Sequence, residues 1–152
     1  MKKLFAIVLT FALLMSLSVT AFATNTTGGK ADITTSIAPT YTVTIPADVN
    51  VAFNATETAF GAIEVTAAQI HTDKCIKVAL ATDKELNNAI DNTKVIPYAI
   101  KDSEGAEFTS ATYLTEGDKT ELSIHITTDD WNAAYAGDYS DTVTFTVSYE
   151  DK

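Results

Sequence analysis

Apolar and polar residues alternate along most of the chain after residue 30, and this period of two predicts β-strands with one buried face. Glycine, asparagine, aspartate and proline fill the gaps between the alternating segments, as in β-sandwiches. We therefore expect an all-β, immunoglobulin-like β-sandwich of about seven or eight strands. The apolar positions that carry the pattern are Ile33/Ile37, Tyr41/Val43/Ile45, Val49/Val51/Phe53, Ile63/Val65, Ile76/Val78/Leu80, Ile96/Tyr98/Ile100, Leu122/Ile124/Ile126 and Val143/Phe145/Val147/Tyr149.

Two details refine this expectation. Pro97 cannot donate a ladder hydrogen bond, so its strand should lie at a sheet edge or carry a bulge. Between two of the strands, Asp83 is placed to cap a helical turn that holds Leu86 and Ile90 on one face. We expect one short helical turn in that connection.

A second helical insert is predicted before the last strand. Thr128 is the expected N-cap, Asp129 and Asp130 lie in the first turn, and Gly137 is expected to end the turn. In the same insert, the spacing of four between Trp131 and Tyr135 favours a lid over one end of the core. The alternative is an exposed platform for sugar rings, with Trp131, Tyr135 and Tyr139 as the stacking candidates.

The N-terminus has the pattern of a secretory signal peptide. Lys2 and Lys3 precede an apolar run over residues 4–19, and Ala21-Phe22-Ala23 is a small-x-small cleavage site. The run is shorter than the ~20 apolar residues that span a bilayer, so we expect cleavage and no stable membrane insertion afterwards. The expected organisation is a signal peptide at 1–23, a flexible arm at 24–30 and one domain at 31–152, located outside the cytoplasm or at the cell surface.

The net charge limits the classes of partner. The chain has 20 acidic and 10 basic residues, all of the latter lysine, and a formal net charge of −10. Loss of the two leader lysines makes the charge of the mature part −12. Such a surface repels phosphate backbones and anionic lipid head groups, so nucleic acid is not an expected partner.

The sequence offers little material for catalysis, and we expect neither an enzyme nor a cofactor. His71 and His125 are its histidines, and no metal-binding, nucleophile or phosphate-loop motif is present. Cys75 is the one cysteine, so no internal disulfide forms. We expect a buried small side chain there, and the alternatives are an intermolecular disulfide or a reactive thiol.

Four aspartates bracket the connection before the last strand, and they raise the question of calcium binding. They are Asp129, Asp130, Asp138 and Asp141. Their spacing matches no known calcium loop. Asp129 and Asp130 are explained more simply as acids that favour the first turn of a helix, and Asp138 and Asp141 as residues that favour turns. We therefore expect no metal site.

The run AGDYSDTVTFTVSY at residues 136–149 resembles the closing strand of spore-coat-U-type and fimbrial-subunit domains, in which a Gly-x-Tyr turn leads into an alternating strand. The segment YTVTIP at residues 41–46 extends the resemblance. It implies subunits that assemble into surface fibres through a strand donated by an N-terminal extension. Residues 31–37 would then be the donor, with Ile33 and Ile37 on one face.

The functional expectation is a secreted or surface-associated structural or interaction protein, with itself, a surface protein or a glycan as partner. Strand addition between copies is the first hypothesis. A carbohydrate-binding or adhesin module is the alternative.

Overall fold

The computed structural model describes residues 30–152, and within that range the chain forms ten β-strands and one short α-helix, so the predicted all-β sandwich is confirmed. The predicted signal peptide and residues 24–29 of the predicted arm lie outside the described residues. In chain order the elements are β1 (Thr40–Thr44), β2 (Glu57–Gln69), β3 (Lys74–Ala81), β4 (Glu85–Asn88), β5 (Val95–Pro97), β6 (Ala99–Asp102), β7 (Ser110–Tyr113), β8 (Lys119–His125), α1 (Thr128–Ala133), β9 (Tyr139–Ser140) and β10 (Thr144–Asp151).

All strand pairs are antiparallel, and they form three sheets. The largest sheet has the order β1-β2-β8-β6, the second has the order β10-β3-β7, and a small third sheet has the order β5-β4-β9. Most strands that pair within a sheet are far apart along the chain, as β2 and β8 are. Residues Ser36–Lys152 form one compact unit, and of the unit Met1–Thr35 the structure describes residues 30–35, which have no regular secondary structure.

The core consists of the inward-facing apolar side chains of these sheets. Ile63 and Val65 of β2 and Ile76 and Val78 of β3 have no exposed surface. Fully burying one such side chain stabilises the fold by roughly 1.5–3 kcal/mol. These positions were predicted from the alternation. The other buried members are Cys75, Ile96, Tyr98, Ile100, Phe108, Tyr113, Leu122, Ile124 and Ile126.

Two strand predictions and one helix prediction were wrong. Residues 30–39, which include Ile33 and Ile37, contain no strand, and residues 45–53 form an irregular connection between β1 and β2. The expected helical turn after Asp83 is strand β4, which pairs on both sides with β5 and β9. Its sequence, ELNN, has no alternation of its own, so the pairing with residues distant in sequence determines its conformation.

The strand predicted around Ile96 and Ile100 is divided between two sheets. Pro97 ends β5, whose outer side is a sheet edge, as expected from its missing donor. Tyr98 separates β5 from β6, and β6 joins the largest sheet through β8. The chain therefore changes sheet at Tyr98.

Helix α1 lies where the second helical insert was predicted, with different ends. Thr127, rather than Thr128, is the N-cap, because its side-chain oxygen accepts the backbone N–H of Asp130 at 3.1 Å. The helix ends at Ala133, before Gly137. Among the described residues, no helix is long and apolar enough to cross a membrane.

Candidate functional site

The sheets leave six strand edges without a partner strand among residues 30–152, and five of these edges are short or irregular. β5, β6, β7 and β9 have two to four residues each, and β1 shifts register between Thr42 and Val43. β10 differs, because its eight residues pair with β3 in unbroken register. Proteins usually shorten, bulge or charge their edge strands, since an open edge can add a further strand. Residues 144–149 of β10 contain neither proline nor a charged side chain.

Alternate residues of β10 direct their main-chain groups to this free edge. In an antiparallel ladder the N–H and C=O of one residue point to the same neighbouring strand, and those of the next residue point to the opposite side. Leu80 of β3 donates its N–H to the carbonyl of Thr109 at 2.8 Å, so the main-chain groups of Leu80 point away from β10. Leu80 and its β10 partner Phe145 therefore form a pair without ladder hydrogen bonds, and the main-chain groups of Phe145 point away from β3. Phe145, Val147 and Tyr149 therefore present N–H and C=O groups at the free edge. Within residues 30–152 no main-chain group from another element meets them there.

The side chains of the same three residues lie on the inner face of β10 and are incompletely covered. The ring centre of Tyr149 is 5.7 Å from the ring centre of Tyr41 in β1. The ring centre of Phe145 is 6.0 Å from that of Phe60 in β2. Between them, Val147 remains 38% exposed. An apolar strip thus accompanies the unpaired main-chain groups, and we call the two together the β10 edge.

A cleft of about 660 Å³ lies where β10 begins. It is lined by the β1–β2 connection, residues 45–53, and by the segment that leads into β10, residues 137–143. Its surface is about equally polar and apolar, and a cleft of this volume has room for a small ligand. Core side chains complete the lining, namely Phe60, Leu86, Ile96, Tyr98, Ile124, Trp131 and Phe145.

A β-bulge in β2 lets the β1–β2 connection close over the cleft. Ala59 and Gly61 pair with adjacent residues of β8, so Phe60 is the extra residue of the bulge. Gly61 has a φ of +117°, which side chains other than glycine rarely adopt. A Cβ on Gly61 would lie 3.4 Å from the Cβ of Pro46. The positive φ therefore favours glycine at residue 61, where Pro46 packs in ordinary van der Waals contact, while Phe60 lines the cleft.

Hydrogen bonds to Asp141 hold the segment that leads into β10. The hydroxyl of Tyr98 donates to Asp141 Oδ2 at 2.5 Å, and the hydroxyl of Thr82 donates to the same oxygen at 2.7 Å. The backbone N–H of Thr142 donates to Oδ1 at 2.6 Å. Asp141 thereby joins the β3–β4 connection, the chain between β5 and β6, and the start of β10.

Protonation in this network is set by burial and hydrogen bonding. Burial raises the pKa of Tyr98, and its hydrogen bond to Asp141 raises that pKa further, so the phenol stays protonated as a donor. At Asp141, partial burial raises the pKa, but the hydrogen bonds from Tyr98, Thr82 and the Thr142 N–H outweigh it and leave the pKa lowered. Asp141 is therefore a carboxylate at neutral pH.

Gly137 fixes the same segment against the small sheet. It has a φ of +149°, and a Cβ there would lie 2.5 Å from Nδ2 of Asn88. Asn88 is buried, and its Oδ1 accepts the backbone N–H groups of Ile90 at 2.9 Å and Asp91 at 3.2 Å. A side chain at residue 137 would therefore displace a hydrogen-bonded buried group.

Two of the three predicted stacking aromatics line the cleft. Trp131 is half-buried, its indole N–H donates to the carbonyl of Ala55 at 2.9 Å, and its ring contacts Phe53 edge to face at 5.6 Å. Tyr139 also lines the cleft. Tyr135 is 64% exposed, lies outside the cleft and has the Lys94 ammonium 4.9 Å from its ring centre. The expectation of a lid over the core therefore holds for Trp131 and is wrong for Tyr135.

The two predicted donor residues are exposed. Ile33 is 98% exposed, and Ile37 is 63% exposed beside a shallow pocket that includes Ile70 and His71. Sequence reasoning found these residues and the inner face of β10. It assigned Phe53, which is 78% exposed, to a strand and not to a site, and it did not find Phe60, because the β-bulge interrupts the period of two there.

The other sequence candidates do not form a catalytic group. Cys75 is 4% exposed, and no hydrogen bond joins it to His71 or His125. The Nε2 of His125 lies 2.9 Å from the hydroxyl of Ser123. Within residues 30–152, no three His, Cys, Asp or Glu side chains lie close enough to hold a metal ion, Asp129, Asp130, Asp138 and Asp141 included.

No protein-family model matches the chain, and no curated protein matches it in sequence.

Proposed function

We propose that the protein is a secreted or surface-associated structural subunit that joins copies of itself by β-strand addition. The observation that carries the proposal is the β10 edge, which combines eight residues in regular pairing with outward main-chain groups and a half-covered apolar strip. Strand addition at such an edge obtains affinity from main-chain hydrogen bonds and specificity from alternate side chains.

The proposed occupant of the β10 edge is the segment 31–37 of a second copy. In an extended strand Ile33 and Ile37 lie on one face, about 13 Å apart. Phe145 and Tyr149 on the inner face of β10 have the same separation of four residues. The smaller Thr35 then lies level with Val147. This match of large, small and large side chains would complete the apolar strip and cover the exposed isoleucines.

The resemblance to fimbrial and spore-coat subunits and the expected signal peptide support a location outside the cytoplasm. Subunits of those families usually contain a disulfide, which a chain with Cys75 alone cannot form internally. The assembly proposed for this chain therefore depends on non-covalent strand pairing.

The test is sedimentation velocity of the purified protein across a hundredfold range of concentration. Val147→Lys places a charge on the inner face of the β10 edge and should abolish oligomers, because an inward charge blocks edge pairing. Thr146→Lys adds the same charge to the outer face of the same strand and should leave assembly in place. Circular dichroism establishes that both variants are folded.

A second pair of variants tests the donor. Ile33→Asp should abolish oligomers, whereas Ile90→Asp, at an isoleucine that is 90% exposed in a different connection, should not. A wild-type protein that remains monomeric throughout, or oligomers that survive Val147→Lys, would refute strand addition at this edge.

A carbohydrate-binding module is the second candidate, and one observation favours it. Trp131 and Tyr139 line the same cleft, together with carboxylates and hydroxyl groups that can bind sugar hydroxyls. The experiment is a glycan array. Binding that is lost in Trp131→Ala and retained in Tyr135→Ala would support this function, and no binding of the wild type to any glycan would eliminate it.

A further inference from the structure

We infer that the donated strand runs parallel to β10, with its N-terminal end at the cleft, so that Lys30 of one copy lies beside the acidic lining of the cleft in the next. The inference rests on the proposed strand addition and specifies its direction. The distribution of charge at the two ends of the β10 edge is the basis for it.

The cleft end carries uncompensated negative charge. Asp48 and Asp138 are exposed, and they line the cleft together with Asp141. Within the described residues, the lining contains no lysine, arginine or histidine, and neither Asp48 nor Asp138 forms an ion pair. A positive group on an incoming chain therefore finds free carboxylates there.

The opposite end of the β10 edge already contains cations. Lys74 forms an ion pair with Asp151, and Lys77 forms one with Glu150 at 3.4 Å. Lys152 continues the chain directly after β10, and its ammonium donates to the carbonyl of Thr72 at 2.8 Å. The acidic side chains at the end of β10 thus have lysine partners within their own domain.

The donor segment has one positive charge close to its first isoleucine. Lys30 is the single basic residue between positions 24 and 39, and Asp32 is the single acidic one. If Ile33 lies level with Phe145 in a parallel pair, residue 30 lies level with Thr142, which lines the cleft. If the pair is antiparallel and Ile33 lies level with Tyr149, residue 30 lies level with Lys152.

These two alignments differ in electrostatic energy. The parallel alignment brings Lys30 to free carboxylates and Asp32 level with the uncharged Thr144. The antiparallel alignment sets Lys30 against Lys152 and Asp32 against Glu150. Parallel pairs are slightly less stable per residue than antiparallel pairs, but like charges directly opposite each other are destabilising. In a subunit whose mature net charge is −12, an attractive contact between copies also offsets part of their mutual repulsion.

Site-specific cross-linking tests the direction. A chain carrying Ala31→Cys is mixed with a chain carrying Ala47→Cys at the cleft, Lys152→Cys at the opposite end, or Glu104→Cys in a distant exposed turn. Cys75 is buried, so it contributes little background. After mild oxidation, non-reducing electrophoresis measures the disulfide-linked dimers.

The expected result is that the Ala47→Cys pair cross-links several times faster than the other two pairs. Faster cross-linking of the Lys152→Cys pair would overturn the parallel direction while leaving strand addition intact. Equal, slow cross-linking of all three pairs would refute strand addition itself, so the two failures are distinguishable.

A charge exchange tests the contact of Lys30 with the acidic lining. Lys30→Glu should lower the association constant by about twofold to fivefold, which is the range expected for the loss of an exposed ion pair. Combining it with Asp48→Lys should restore association. Lys101→Glu, a charge reversal on the edge strand β6 of the largest sheet, is the control. An unchanged association constant in Lys30→Glu, or no restoration in the exchanged pair, would contradict the contact.

Discussion

Replacing Tyr98 with phenylalanine tests how firmly the start of β10 is held. Tyr98→Phe keeps the ring in the core and removes the hydroxyl that donates to Asp141 at 2.5 Å. A hydrogen bond to a charged group contributes about 1.5–3 kcal/mol, and we expect a loss near the lower end because Asp141 is only partly buried. The predicted loss in free energy of unfolding at pH 7 is thus about 1.5 kcal/mol.

The loss should depend on pH in a defined direction. The pKa of Asp141 is lower in the folded protein than in the unfolded chain, so its contribution to stability is present above the unfolded pKa and disappears as the pH falls through the folded pKa. Once Asp141 is protonated, the Tyr98 bond is a neutral one worth about 0.5–1 kcal/mol. The effect of Tyr98→Phe should therefore shrink between pH 5 and pH 2.

Urea denaturation followed by circular dichroism at several pH values measures this effect. Tyr113→Phe is the matched control, because this buried tyrosine donates to the neutral hydroxyl of Thr120 at 2.9 Å. It should cost about 1 kcal/mol at every pH. If the two variants lose stability with the same pH dependence, the carboxylate of Asp141 does not anchor this segment as argued.

Three further substitutions test the fold. Gly137→Ala should cost about 1–3 kcal/mol in thermal or urea unfolding, because its Cβ would overlap a buried amide, and a neutral effect would contradict the close approach. Ile63→Ala should cost about 2–5 kcal/mol, whereas Ile90→Ala should change the free energy of unfolding by less than about 0.5 kcal/mol, and equal effects would refute the assigned core. Thr127→Ala should cost about 1 kcal/mol through loss of the helix cap, and a larger loss in Thr128→Ala would show that the cap is misassigned.

The sequence predicted the parts of the fold that depend on local alternation. Ile63, Ile76 and Leu122 lie on the buried faces of long strands, and the period of two identified each of them. The inner face of β10 was also evident, with Val147 between two aromatic residues. These segments are regular over enough residues for the pattern to stand out from its surroundings.

The parts that the sequence did not predict depend on contacts between distant residues. Leu86 and Ile90 have helical spacing, yet Asn88 pairs with Tyr139 in a sheet. The change of sheet at Tyr98 is likewise fixed by its hydrogen bond to Asp141, 43 positions later. The cleft follows from both features, so its lining could not be assembled from local patterns.

Amide hydrogen exchange by NMR, in dilute and in assembled protein, tests the central proposal most directly. The amides of Val147 and Tyr149 point to the free edge and should exchange rapidly in the dilute monomer, whereas those of Thr146 and Ser148 are bonded to β3 and should be protected. On assembly, Val147 and Tyr149 should become protected as the added strand accepts their hydrogen bonds. Assembly without this protection would show that copies join elsewhere and would contradict strand addition at β10.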